Sequence, residues 1–134
     1  MTEPLFLNAY IYESATASLT LKTTNRKCKI HNFKNYLPFL GEMEHNCRAI
    51  ETGAKQNFNF TLQTTRRKTW ELNCLYDGQL VRLRVWELHM GNRSFLPDFD
   101  WCNTAYELRK AINGMMLTAG CFIDLTSNGK TFLD

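Results

Sequence analysis

No apolar run in this chain approaches the ~20 residues that span a bilayer, so no membrane-spanning helix is expected. The opening Met1-Thr2-Glu3-Pro4 also lacks the basic region and apolar stretch of a secretion signal, and the expected location is cytoplasmic. Pro/Gly/Ser linkers, repeats and low-complexity tracts are missing too. The 134 residues therefore read as one domain, 1–134, large enough to bury a core without staples or metal. There is no G-x-S-x-G elbow, no phosphate-cradling glycine-rich loop and no H-E-x-x-H, which removes several large enzyme classes.

Cysteine is present but does not form a disulfide framework. The five residues at 28, 47, 74, 102 and 121 are odd in number and widely spaced, and read as reduced thiols, several of them core packing. The triplets Asn59-Phe60-Thr61 and Asn92-Arg93-Ser94 match a glycosylation acceptor, which is read as chance without a secretion signal.

The 13% aromatic content, with nine Phe, favours a β-rich core. Phe6 to Glu13 is aromatic and apolar, while Leu19 and Leu21, then Cys28 and Ile30, alternate with polar residues around a turn at 23 to 26; three strands are expected. The period then changes. Leu40, Met43, Cys47 and Ile50 share one helical face, which predicts a helix over 36–51 stopped by Gly53.

Phe58, Phe60 and Leu62 alternate with polar neighbours, and two further runs flank Asp77-Gly78. A two-residue turn there predicts Cys74 facing Val81, Leu72 facing Leu83 and Trp70 facing Val85, with Glu71 opposite Arg84 and Asn73 opposite Arg82. Gly91 to Trp101 reads as a loop, and Thr104 with Glu107 as a capping box opening a helix over 104–118. Cys121 to Leu125 and Lys130 to Leu133 around Asn128-Gly129 read as a second hairpin. The expected fold is α+β in the order βββ-α-βββ-α-ββ, a mostly antiparallel sheet with two helices packed on it.

Three constellations could carry chemistry. Cys28, His31, His45 and Cys47 include the ligand types of tetrahedral zinc. On a strand, however, residues three apart point to opposite faces, and on a helix residues two apart diverge by about 200°. Asp98-Phe99-Asp100 with Glu87 and Glu107 could hold Mg²⁺, but reads better as a polar loop whose acids favour the following helix N-terminus. A Cys–His nucleophile pair has no local mark. The expectation is no cofactor, no metal and no catalytic residue, with a small thiol or metal-dependent hydrolase as the third choice.

Charge forms a further constellation beside these three. Residues 20 to 34 hold five cations and no acid, and residues 57 to 97 hold six against three acids, although the whole chain is only +3. The candidate partner-binding residues are Arg66, Arg67, Lys68, Arg82, Arg84, Trp86 and Arg93, joined by Lys27 and Lys29. The competing reading neutralises Arg84 with Glu71, covers the Leu75, Leu80, Trp86 and Leu88 face with helices, and gives the lysines to edge-strand protection.

By elimination the expected function is a small non-enzymatic binding protein that meets an acidic or phosphate-bearing surface of a protein or nucleoprotein. Phage and mobile-element inhibitors that block a host nuclease or defence complex, the anti-CRISPR-like genre, are proteins of this kind. The alternative is direct single-stranded nucleic-acid binding, with bases stacked on Trp86 or Tyr36.

Overall fold

A computed structural model describes residues 3–54 and 56–120, together with the backbone of 122–124 and 130–132. The chain runs β1 (Phe6–Ile11), β2 (Ala17–Lys22), β3 (Lys27–Phe33), α1 (Tyr36–Glu51), β4 (Gln56–Gln63), β5 (Thr69–Tyr76), β6 (Val81–His89), β7 (Asn92–Arg93), β8 (Phe99–Asn103), α2 (Ala105–Thr118), β9 (Phe122–Asp124) and β10 (Lys130–Phe132). The class is α+β, with antiparallel sheets and two helices. No described helix is long and apolar enough to cross a membrane.

The first sheet is β1-β2-β3. Side chains alternate across a strand, so Leu7, Leu21 and Cys28 align in one buried row and Ala9, Leu19 and Ile30 in the next, while Phe6, Tyr10, Lys22, Lys27 and Lys29 point outward. Thr118 at the end of α2 accepts the Ala9 backbone N–H at 3.0 Å, occupying a donor on the β1 edge.

The second sheet is β4-β5-β6, with β7 and β8 both pairing along the far side of β6. Its apolar face carries Leu72, Cys74, Leu83 and Val85, all buried, and α1 packs there, with the Phe39 ring edge-on to Phe60 at 5.1 Å. The two sheets meet where Phe33 bridges Thr64 and Thr65 N–H donates to Asn32 O at 3.0 Å. They meet again where Trp101 Nε1 and Asn103 Nδ2 both donate to Glu3 O.

Three expectations need correction. In the β5–β6 hairpin the observed pairs are Tyr76↔Val81, Cys74↔Leu83, Leu72↔Val85 and Trp70↔Glu87. The turn is centred one residue later than expected, on Gly78-Gln79. The reason is Asp77: its Oδ1 accepts from both Gln79 N–H and Leu80 N–H at 2.8 and 2.9 Å, and only Gly78, at φ +104°, has to enter the left-handed region. Moving the centre by one residue changes every partner by two. The apolar face is kept, but Glu71 falls opposite Trp86 and Asn73 opposite Arg84.

The segment from Gly91 to Trp101 is not all loop. Met90 and Gly91, at φ +54° and +81°, turn the chain into β7, and β8 begins at Phe99 with Phe99, Trp101 and Asn103 buried opposite Val85, Leu83 and Val81. Asp98 and Asp100 occupy the alternate positions and disguise the period. Finally, α1 packs on the apolar face of the second sheet, and on the opposite face the Trp86 ring is covered by the Arg84 and Arg93 guanidinium groups, in place of the helix expected there.

Both helices stand where expected. Thr104 caps α2 by accepting Glu107 N–H at 3.4 Å, but Asn103 Oδ1, at 2.7 Å, takes the Thr104 N–H that a capping box would give to Glu107. In the tail, β9 and β10 pair antiparallel; Asn128-Gly129 lies outside the described residues.

Candidate partner-binding surface

The nine residues singled out by charge separate onto three surfaces. Arg82, Arg84, Trp86 and Arg93 lie on the outer face of the second sheet, where each is engaged by a neighbour within the protein. Arg82 makes a bidentate pair with Asp100, at 3.1 and 2.8 Å, and Arg93 pairs with Glu71. The guanidinium groups of Arg84 and Arg93 cover the Trp86 ring at 4.8 and 4.7 Å from its centroid, leaving it 7% exposed. Arg84 also donates to Asn73 Oδ1 at 2.9 Å, while its buried Nε has no acceptor among the described residues. Trp86 thus offers little open ring to a partner.

Arg66, Arg67 and Lys68 form the turn between β4 and β5. The turn closes tightly, with Thr64 N–H donating to Lys68 O at 2.8 Å and Arg67 in a left-handed conformation at φ +65°. Lys68 reaches Glu87 at 3.4 Å, but Arg66 and Arg67 have no ion-pair partner among the described residues. A cleft of about 320 Å³ separates this turn from β3, lined by Lys29, His31, Asn32, Thr64, Thr65, Arg66, Lys68 and Trp70. Lys29 therefore brings the two basic stretches together, and no carboxylate lines the cleft among the described residues.

Lys27 and Lys29 belong to the third surface, the outer face of the first sheet. Phe6 pairs Lys22, which pairs Lys27; Asn8 pairs Thr20, which pairs Lys29. Phe6 and Tyr10 on β1 are 55% and 62% exposed, and Tyr10 leans on Tyr12 with centroids 4.8 Å apart. Lys22, Lys27 and Lys29 have no ion-pair partner among the described residues.

Phe6, Tyr10, Lys22 and Trp70 were not among the residues picked from the sequence. In β1 both phases of the alternation are apolar, Phe6 and Tyr10 in one and Leu7 and Ala9 in the other, so the pattern does not say which faces solvent.

The groups considered for chemistry are dispersed. Cys28 and Cys47 are buried while His31 and His45 are exposed. Burial pushes the Cys28 thiol up to about 12, with a smaller push from Asp98; burial likewise raises Cys47 to about 11 and Cys74 to about 12. Asp100 is held by Arg82, Glu87 by Lys68 and His89, and Glu107 by Lys110. Among the described residues no three His, Cys, Asp or Glu side chains gather as a metal site.

No family model, curated protein or solved structure matches the chain.

Proposed function

We propose that the protein is a non-enzymatic binding protein whose partner-facing surface is the outer face of the β1–β3 sheet continued onto the 64–68 turn. Its partner presents an acidic or phosphate-bearing surface. The observation that carries this reading is the contrast between paired and unpaired cations. Arg82, Arg93 and Lys68 each hold a carboxylate, whereas Lys22, Lys27, Lys29, Arg66 and Arg67 hold none among the described residues. Unpaired like charges repel one another and remain available to an external anion, so their field draws and orients a negatively charged partner. A nuclease or nucleoprotein complex exposes surfaces of that kind, and a small protein seated there blocks it without any chemistry of its own.

Retention on a heparin column tests the surface. Combined Lys27→Ala, Lys29→Ala and Arg66→Ala replacement is expected to lower the eluting salt markedly, while combined Arg82→Ala and Arg93→Ala replacement leaves it nearly unchanged. Equal loss in both variants would mean that retention follows overall charge and not this surface.

A further inference from the structure

We infer that the outer face of the β1–β3 sheet binds single-stranded nucleic acid, with bases stacked on Phe6 and Tyr10 and phosphates held by Lys22, Lys27 and Lys29. The inference rests on the function proposed above, of which it names the partner.

Two exposed aromatics on one strand call for explanation. Phe6 and Tyr10 contribute nothing to the buried rows that hold this sheet, which run through Leu7 and Ala9 instead. They sit four residues apart on the same face, ~13 Å by strand rise, so each ring serves a different base. Lys22 pairs directly with Phe6, and Lys27 lies one strand further, about 10 Å from Phe6 at normal strand spacing. The face thus places an aromatic column beside a cationic column. That order suits a chain whose π-faces and negative charges alternate, and it suits an acidic protein less well, because such a partner supplies charge but no series of flat rings. A duplex does not fit, since its base faces are hidden in the stack. Lys29 also lines the cleft beside Arg66, which gives the strand a path off the sheet toward the 64–68 turn.

The test is fluorescence anisotropy of the full chain with labelled oligothymidylate and oligouridylate of about 12 nucleotides, a duplex of the same length, and poly-L-glutamate as the acidic-protein surrogate. Phe6→Ala and Tyr10→Ala are each expected to weaken single-strand binding about tenfold. Lys27→Ala and Lys29→Ala should each reduce the slope of log affinity against log salt by about 0.7. Phe95→Ala, on a residue 98% exposed but carried by the β7–β8 connection, should change nothing. Circular dichroism of every variant confirms the fold, and Phe6→Tyr should retain binding because it keeps a ring.

Single-strand binding that is no tighter than duplex binding, or that both aromatic variants leave intact, overturns the inference. If poly-L-glutamate binds in a Lys27- and Lys29-dependent way while the oligonucleotides do not, the inference falls and the acidic-partner reading stands. If neither polyanion binds, both fall.

Discussion

Asn73 is 4% exposed, and every polar atom of its side chain is engaged. Its Nδ2 faces Asn59 Oδ1 at 2.8 Å, Asn57 Oδ1 at 3.1 Å and Phe58 O at 3.3 Å, and its Oδ1 accepts from Arg84. Replacing it by Leu strands those partners, and Asn73→Leu is expected to cost about 2 kcal/mol in urea denaturation. Arg67 behaves differently. A non-glycine residue in the left-handed region costs about 1 kcal/mol, so Arg67→Gly should raise stability by about that amount in the same assay while shortening retention on heparin. The thiols define a third outcome. Cys28, Cys47 and Cys74 ionise in the folded protein well above their ordinary 9.0, so above pH 9 the unfolded chain gives up protons that the folded chain keeps. Stability should be complete below pH 9 and fall as pH rises toward 11 to 12, by up to about 1.4 kcal/mol per pH unit for each thiol. Among the described cysteines only Cys102 is exposed, and it alone of them should alkylate quickly in the native state. At this scale the sequence was legible for charge but not for pairing. It could not show that Glu71 reaches Arg93, 22 positions away, in place of Arg84.

The helices and hairpins show what local pattern can specify. Helix α1 matches its expected span because four apolar residues at three- and four-residue spacing leave no other face to bury, and Gly53, at φ +89°, ends it. The hairpin register was legible in its phase only: alternation decides which face is buried, whereas the Asp77 carboxylate decides where the turn is centred. Gly78→Ala should therefore cost about 1 kcal/mol or more, since its φ of +104° is open to glycine and strained for alanine. Between the helices, Arg109 of α2 clasps both Glu44 at 2.8 and 2.9 Å and Glu51 at 2.6 and 3.1 Å from α1. No sequence rule links positions 58 and 65 apart, and this clasp was invisible before the fold. Burial pushes the Glu44 carboxyl up, but hydrogen bonds from Arg109 and Arg48 outweigh it and hold the carboxyl below its ordinary 4.5. That stabilisation is present above pH 4.5 and is lost as pH falls through the lowered value. Arg109→Met should destabilise the protein by about 2 kcal/mol at neutral pH and flatten its acid-side loss of stability, as read by denaturation at several pH values.

At the scale of the whole molecule, the positive charge divides between arginines paired on the second sheet and lysines that hold no carboxylate among the described residues on the first. The second sheet spends its arginines on Asp100, Glu71 and the Trp86 ring, which knit its outer face. The first sheet's lysines hold no ion-pair partner among the described residues and stand beside two exposed aromatic rings, and the 64–68 turn extends that surface with Arg66 and Arg67. Charge counted along the sequence could not make this division, because it treats residues 57 to 97 as one stretch, while the fold puts Arg82, Arg84 and Arg93 on the outer face of the second sheet and Arg66 beside β3.

The most direct test captures the partner itself. Tagged wild-type protein and a Lys27→Glu, Lys29→Glu variant are purified from native cells, each in nuclease-treated and untreated halves, and the co-purifying species are compared. The wild type is predicted to retain a partner that the variant loses, and nuclease treatment should remove that partner or shorten its nucleic acid. Identical partner sets for both proteins would contradict the central claim, since recognition would then not pass through the outer face of the first sheet.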